Sequence, residues 1–504
     1  MRPHLLITTA AAAIAVVATP ASADTLREAL LKAYQSNPTI TAERATLRAN
    51  DENVPIARAA GLPGVQGTGG YTENIYDSAG GSGPARQARI GAELSVPVYT
   101  AGAVRNTVRA AETRIEAGRA NLRSVEANLF TSVVAVYNDV IRDEAIVRLN
   151  QQNVRVLEVN LQATRDRFEV GDLTRTDVAQ SEARLALAQG QLRTAEATLV
   201  GSRESYIRVV GSAPGTLEAP PALPNLPSDP QVAVASAVED NPALLSAQRL
   251  RDATRFDVDV ARAGRLPRVS VTLGPSYNNY LGSVGNSAAA AGFRNDSLGL
   301  TGGLNLSLPI FQGGRVGAQV RQAEARRSAA IEGVTDAERA VIAQARSAYA
   351  NWQSSLQVIA SSEVAVNANK LSLEGVRAEN SVGTRTILDI LNAEQELLNS
   401  QVQLVSARRN AYVAGFALLA AMGKAEAADL GLEGGPLYDP VQNFDRVRRR
   451  INDWARDGEP QPVATRTNET PAQTPAVTPD PNADDPMLRR PVDTGPVDRP
   501  TPRR

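Results

Sequence analysis

Apolar residues follow two different periods along this chain, and the changes of period divide it into elements. From residue 87 to 98, and again from 297 to 310, apolar and polar positions alternate. Such alternation predicts amphipathic β-strands, and a weaker strand pattern precedes each run, so two β-hairpins are expected. Elsewhere apolar residues recur at spacings of four and three, which is typical of long helices packed as coiled coils. No proline lies between residues 98 and 213 or between 310 and 435, so these helices can run unbroken.

The same order of elements occurs twice in the chain. A shift of 212 positions superimposes the Gly, Thr and Asp of one turn on those of another: Gly171 on Gly383, Thr174 on Thr386, and Asp177 on Asp389. Matching residues also flank the predicted strands and helices. The chain is therefore an internal duplication, and its function must be one that two similar units build together.

The two repeats can be given predicted bounds. The first repeat, 24–211, is a helix, a hairpin at 65–98, a long helix at 102–168, a turn at 170–176 and a helix at 177–210. The second repeat, 231–423, is a helix, a hairpin at 268–310, a long helix at 313–380, a turn at 382–386 and a helix at 387–422. A Pro-rich linker, 212–230, joins them.

The two ends of the chain have different compositions. Residues 1–23 combine Arg2, an apolar core and Ala21-Ser22-Ala23, which is the pattern of a cleaved secretory signal peptide. The segment at 424–457 is expected to be a C-terminal equatorial segment. Residues 458–504 contain eleven prolines and few large apolar side chains, so this tail is expected to be disordered.

Composition excludes several kinds of chemistry. The chain has no Cys, and its only His is His4 within the signal peptide, so disulfides, thiol catalysis, His/Cys zinc sites and a Ser-His-Asp triad are excluded. A formal net charge of −1 argues against nucleic acid as a partner. Asp139, Asp143 and Glu144 lie near one helix face, and we interpret them as a solvated or lumen-facing surface. We expect neither catalysis nor a cofactor.

Four amphipathic strands are too few to close a barrel. An open sheet edge in lipid leaves backbone groups unpaired at several kcal/mol each, so spanning strands require a closed barrel. Two copies of the chain would supply eight strands, and three copies would supply twelve, which is wide enough for a lumen. The strand positions expected to face inward are polar and favour a conduit: Gln87, Arg89, Glu93, Ser297, Thr301 and Asn305. The alternative is an exported coiled-coil structural or adhesive protein whose strands form a soluble sheet.

From about residue 25 to 423, the chain resembles the TolC family of outer-membrane efflux and secretion channels. The resemblance rests on the duplication, on Ser-x-Pro junctions at 95–97 and 307–309, and on the turn from Val382 to Asn392. It implies a mainly α fold with a transmembrane β-barrel. A homotrimer would share a 12-stranded outer-membrane barrel and a long periplasmic α-helical coiled-coil barrel, in the outer membrane of a Gram-negative cell.

The resemblance also implies a passive exit duct of a tripartite efflux pump or a type I secretion system. The expected partners are a periplasmic adaptor (membrane fusion) protein, an inner-membrane pump of the RND or ABC type, and outer-membrane lipid. The sequence leaves open whether the cargo is small molecules or proteins.

The resemblance further implies a gate at the periplasmic helix tips. Arg385 matches the gate arginine of the family, and Thr176 and Asp177 match its partners. Asp389 matches the outer of two acidic rings. At two positions the chain departs from the family pattern: Asn380 replaces a tyrosine and Asn392 replaces the inner acidic residue.

The tips have two further predicted roles. By analogy with the family, an adaptor docks on the two turns, at Val170, Gly171, Val382, Gly383 and Thr384. The simpler reading of the polar residues is helix capping, because Thr176 and Asp177 stand at the start of the returning helix. Thr386 and Asp389 are expected to serve as both cap and gate.

Overall fold

The computed structural model of the protein describes residues 24–75, 85–224, 226–284, 292, 294–432 and 437–477. The predicted signal peptide and the tail beyond 477 lie outside the described residues. The helices are α1 Leu26–Ser36, α2 Pro38–Asp51, α3 Asn53–Ala59, α4 Ala103–Glu169, α5 Arg175–Val210, α6 Pro230–Asp240, α7 Pro242–Ala263, α8 Arg315–Ser381, α9 Ile387–Ala421 and α10 Gln442–Val447. The strands are β1 Gly64–Glu73, β2 Arg86–Tyr99, β3 Arg268–Asn279 and β4 Asp296–Ser307.

The two hairpins join into one antiparallel sheet in the order β1-β2-β3-β4. Side chains of directly opposite residues on neighbouring strands lie on the same face of the sheet, so the register shows which residues belong to each face. Ile90 lies opposite Tyr277, which lies opposite Leu298, whereas Arg89 lies opposite Asn278 on the other face. One face of the sheet is therefore apolar and the other polar, as the alternation predicted.

The apolar face and the two outer strands of this sheet are uncovered. Val65 of β1 is 76% exposed and Leu298 of β4 is 80% exposed. Among the described residues, β1 and β4 each pair on one side only. A search of the described helices finds no segment both long enough and apolar enough to cross a membrane.

Each hairpin leads into a very long helix. Both α4 and α8 have 67 residues, which corresponds to about 100 Å at 1.5 Å per residue. The chain then turns and returns along the same helix, so that α4 packs against α5 and α8 against α9. Contacts of α4 with α9, and of α7 with α4 and α8, join the repeats side by side.

The main apolar core lies where the short N-terminal helices meet the middle of α4. Phe130 and Tyr137 are fully buried there, together with Leu30 of α1 and Phe416 of α9. The hydroxyl of Tyr137 donates to the carbonyl oxygens of Asp24 and Glu218, at 2.9 and 2.7 Å. This core therefore holds Asp24 and the inter-repeat linker against the middle of α4.

The first part of the tail lies against α5. Residues 458–477 form no helix or strand but run along α5. The Arg203 guanidinium donates to the carbonyl oxygens of Thr474 and Ala476, at 2.5 and 3.1 Å, and the carboxylate of Glu204 accepts from the backbone N–H of Gln473 at 3.1 Å. These bonds run from α5 side chains to the tail backbone, so they require no apolar pattern in the tail. Disorder of the tail, 458–504, stays a prediction.

Candidate functional site at the helix tips

The two helical hairpins end in matching turns. Gly171 and Gly383 have φ angles of 84° and 81°, in the left-handed region that glycine adopts without steric cost. The valine before each glycine points into solvent, with Val170 80% and Val382 75% exposed. Thr384, in the second turn, donates from its hydroxyl to the carbonyl oxygen of Glu379 at 2.9 Å. The duplication thus places two similar exposed apolar turns at the far end of the helices.

Both returning helices begin with the same capping box. In α5, the Thr174 hydroxyl accepts from the N–H of Asp177 at 3.3 Å, and the Asp177 carboxylate accepts from the N–H of Thr174 at 2.9 Å. Thr386 and Asp389 repeat this arrangement in α9, at 3.3 and 2.9 Å. These bonds, backbone and hydroxyl, lower the pKa of both carboxyls below the usual range for Asp.

The capping prediction is therefore confirmed for Asp177, Thr386 and Asp389 and wrong for Thr176. Thr174, not Thr176, is the cap of α5, and the helix begins at Arg175, two residues before the predicted start. The left-handed Gly171 ends the preceding helix early enough for Thr174 to take the extended backbone that a cap needs. Thr176 is exposed in the first turn.

Arg385 is held within its own turn. Its guanidinium donates to the Glu379 carboxylate at 2.8 Å, and this contact, more than that with Asp389, raises the pKa of Arg385. The Asn380 side chain donates to the carbonyl oxygen of Arg385 at 2.7 Å. Asn380 thus stabilises the turn. The predicted pairing of Arg385 with Asp177 does not form within the described chain and stays a prediction for neighbouring chains.

A polar link joins the two helical hairpins near the tips. The Arg184 guanidinium of α5 donates to the side-chain oxygen of Asn392 in α9, at 2.6 Å. Asn392 is the residue expected, from the sequence, at the inner acidic position. Its amide oxygen provides an acceptor for Arg184 without adding negative charge.

Glu394 forms a second link that sequence reasoning missed. Its side chain is only 5% exposed, and it accepts from Asn160 of α4 at 3.0 Å and from Arg377 of α8 at 2.9 Å. One carboxylate on α9 therefore ties three helices. The only sequence signal was an acidic residue inside an apolar seam, five positions after Asp389.

The mid-helix carboxylates form ion pairs. Asp139 pairs with Arg142 and Arg409 at 2.7 and 2.9 Å, and Asp143 pairs with Arg142 at 2.7 Å. Glu144 pairs with Arg203 at 2.7 Å. The prediction of a solvated or lumen-facing surface is therefore wrong, because the side chains of Asp143, Glu144 and Asp139 are only 3%, 18% and 24% exposed. Each carboxylate is engaged by a guanidinium in a structural network that joins α4, α5 and α9. Among the residues that the structure describes, no cluster of three metal-ligating side chains occurs.

The amphipathic sheet continues directly into paired helices about 100 Å long, and these helices end in matched turns joined by polar links. This is the arrangement of an envelope-spanning export channel. The comparisons identify this class more closely. The sequence model of the outer membrane efflux protein family matches residues 29–212 and 233–424. The chain belongs to this family. The two matched segments correspond to the two repeats.

Individual relatives agree with this assignment. The chain is 33% identical to the outer membrane efflux protein BepC of Brucella suis biovar 1 (strain 1330), over 85% of this chain and 91% of the relative. It is 27% identical to the outer membrane protein TolC of Escherichia coli (strain K12), over 88% and 93% of the two chains. The crystal structure of the Campylobacter jejuni CmeC outer membrane channel matches the fold with a TM-score of 0.70 at 15% identity, over 90% of this chain and 98% of that one.

The protein is therefore an outer-membrane exit duct of the efflux and secretion type, with a periplasmic helical domain. It is a passive channel and not an enzyme.

Proposed function

We propose that three copies of the chain form one duct through the outer membrane and into the periplasm. The observation that carries this proposal is the four-stranded sheet with an exposed apolar face and two open edges. In lipid, such edges require strands from other copies. Three copies supply twelve strands, enough for a lumen lined by the polar face, and the helices continue the wall into the periplasm.

In this proposal the duct is gated at the helix tips. The Arg385 side chain is half exposed, so its guanidinium can also reach Thr176 and Asp177 of a neighbouring chain. Three such contacts repeated around the trimer would hold the entrance closed. Asp389 would form a single carboxylate ring that attracts cations, because Asn392 adds no charge.

The exposed tips would also be the docking surface for the adaptor. Val170 and Val382 present apolar side chains at equivalent positions of the two repeats. An adaptor hairpin that contacts one tip could therefore contact the other in the same manner, with Gly171 and Gly383 allowing close backbone approach and Thr384 beside Gly383 in the second turn. Through this adaptor the duct would receive small molecules or proteins from an RND-type or ABC-type inner-membrane pump.

Planar-bilayer conductance of the detergent-purified protein, beside Arg385→Ala, tests the pore and the gate together. We expect brief, small openings for the native protein and longer, larger openings for the variant. The Asn380 bond accepts at the backbone oxygen of residue 385, so the turn survives the substitution. The matched control is Arg193→Ala, since Arg193 is exposed on α5 and pairs with Glu196 of its own helix.

The outcomes separate the parts of the proposal. Conductance that Arg385→Ala leaves unchanged would retain the channel and reject Arg385 as a gate residue. Equal effects of Arg385→Ala and Arg193→Ala on conductance would show that the change comes from loss of positive charge in general. A folded sample without conductance would favour an exported structural protein.

A further inference from the structure

The C-terminal segment runs along α2 and α3 to the end of the sheet where β1 begins, and then turns back. The Asn443 side chain of α10 donates to Asp51 of α2 at 2.7 Å. Farther along, the Arg58 guanidinium of α3 donates to the carbonyl oxygen of Arg448 at 2.9 Å. Residues 450–457, which we call the foot loop, then share a groove with residues 62–64, where β1 begins.

The backbone of the foot loop is fixed at its base. The Asp457 carboxylate accepts from Arg446 at 3.0 Å and from Arg450 at 2.9 Å, and these two guanidinium groups lower the pKa of Asp457 to about 2. Inside the loop, the Asn452 side chain accepts from the backbone N–H of Trp454 at 3.0 Å. The loop therefore has a defined shape that closes where the segment turns back.

The side chains at the tip of the foot loop are apolar and uncovered. Trp454 is 88% exposed and Ile451 is 77% exposed. A solvent-exposed Trp beside an exposed Ile indicates a contact surface, because neighbouring large apolar side chains are normally buried unless they bind something. The nearby apolar residue Leu62, at the entry to β1, is 43% exposed and extends this surface towards the sheet.

Positive charge flanks the same tip. Arg449 and Arg456 are exposed, and within the described part of the chain neither takes part in an ion pair. The foot loop has two acidic residues: Asp457 is already shared between Arg446 and Arg450 at the base, and Asp453 is exposed between Ile451 and Trp454. The tip thus carries two exposed guanidinium groups and one carboxylate. Guanidinium groups bind phosphates, and Trp is favoured at membrane interfaces, where its ring is partly apolar and partly hydrogen-bonded.

We propose that the foot loop docks on the periplasmic leaflet of the outer membrane. Trp454 and Ile451 enter the headgroup region, and Arg449 and Arg456 bind phosphates of anionic phospholipids. The proposal rests on the proposed function, in which the sheet is the transmembrane wall, because only then does the start of β1 lie at the membrane surface. Docking would fix the depth at which each chain sits in the bilayer.

The chain supplies its own probe, because it contains only two tryptophans. Trp352 of α8 is 5% exposed and packs against Tyr349 in a buried cluster, whereas Trp454 is at the loop tip. The full-length Trp352→Phe variant reports on Trp454 alone. If that variant folds poorly, the native spectrum minus that of Trp454→Phe isolates the same signal without disturbing Trp352.

The proteins are reconstituted into vesicles of phosphatidylethanolamine and phosphatidylglycerol, with or without lipids brominated near the headgroup. We expect bromine to quench Trp454 emission, the emission to shift to the blue relative to detergent solution, and aqueous acrylamide to quench less. Trp352, observed in Trp454→Phe, should show none of these changes.

The arginines are tested by charge removal. The double variant Arg449→Gln/Arg456→Gln should lose much of the bromine quenching in vesicles that contain phosphatidylglycerol. The matched control is Arg466→Gln, an exposed arginine on the descending part of the same segment. Equal quenching in the double variant and the control would remove the phosphate contact from the proposal.

Insertion is scored on the same vesicles by conductance after fusion with a planar bilayer. Conducting samples in which Trp454 stays open to acrylamide and insensitive to bromine would overturn the docking and leave the channel intact. A Trp454 that is shielded in detergent as well as in vesicles, and insensitive to bromine, would show that another copy of the chain covers it. Absence of both conductance and bromine quenching would reject the proposed function itself.

Discussion

At the residue scale, Glu394 is a buried charge whose position depends on three helices. Its carboxylate is satisfied by Asn160 and Arg377, and loss of either leaves a poorly solvated charge. Glu394→Gln removes that charge and weakens both bonds, while the half-exposed Arg377 can turn to water. We expect a loss of about 1–3 kcal/mol in local stability and more frequent channel opening. Amide hydrogen exchange around residue 394 and bilayer recordings measure the two effects.

A matched substitution is available two positions away. The Glu396 side chain is exposed, so Glu396→Gln alters the same charge in the same helix without touching the three-helix contact. If Glu394→Gln and Glu396→Gln change exchange and opening equally, Glu394 is not a tie between helices.

Glu394 also shows which site residues the sequence could reveal. Thr386, Asp389 and Asp177 were found because a capping box is local and depends only on residues three positions apart. The contacts of Glu394 with Asn160 and of Arg184 with Asn392 join residues more than 200 positions apart, and they depend on how the coiled coils are rotated against each other. The relative rotation of the helices cannot be predicted from a single sequence.

At the scale of the element, each tip turn depends on one left-handed glycine. No atom lies within 4 Å of a Cβ built on Gly383, so Gly383→Ala costs only backbone strain, roughly 1–2 kcal/mol. Gly375→Ala is the matched control. Gly375 is also open to solvent but lies in the helical part of α8, where Ala is favoured by roughly 0.5–1 kcal/mol.

We therefore expect opposite effects from two identical substitutions eight residues apart. Amide exchange across 380–388 should become faster in Gly383→Ala and stay slow or become slower in Gly375→Ala. Faster exchange in both variants would show that packing, rather than the φ angle of Gly383, determines the stability of the turn.

Periodicity predicted the strands and long helices because each is specified by its own residues. The alternation in 297–310 and the four-three spacing in the helices each follow from one face being buried or lipid-exposed. The C-terminal segment was not predictable in this way. Its path depends on backbone carbonyls held by Arg58 and Arg203, and its own sequence has no period. The path of the C-terminal segment was therefore the part of the fold that the sequence did not predict.

At the scale of the whole molecule, the open edges β1 and β4 should meet between copies. The chain has no Cys, so any disulfide reports only on introduced residues. We combine Thr68→Cys in β1 with single cysteines at each of residues 297–305 in β4. Because a disulfide requires Cβ atoms about 3.5–4.5 Å apart, only one or two positions on one face should cross-link. Ser270→Cys/Asn305→Cys is the within-chain control, since these residues are directly opposite each other in β3 and β4.

The number of linked chains decides between the two closed barrels that four strands allow. A denaturing gel should show a ladder that ends at three chains, because twelve strands leave a lumen, whereas eight leave an interior filled by side chains. A ladder that ends at two chains would mean a barrel too narrow to conduct, and the export path would then have to lie elsewhere. Conduction without any cross-link between β1 and β4 would mean that the edges are closed by some other contact. The control should link within one chain in every case, which shows that the oxidation worked.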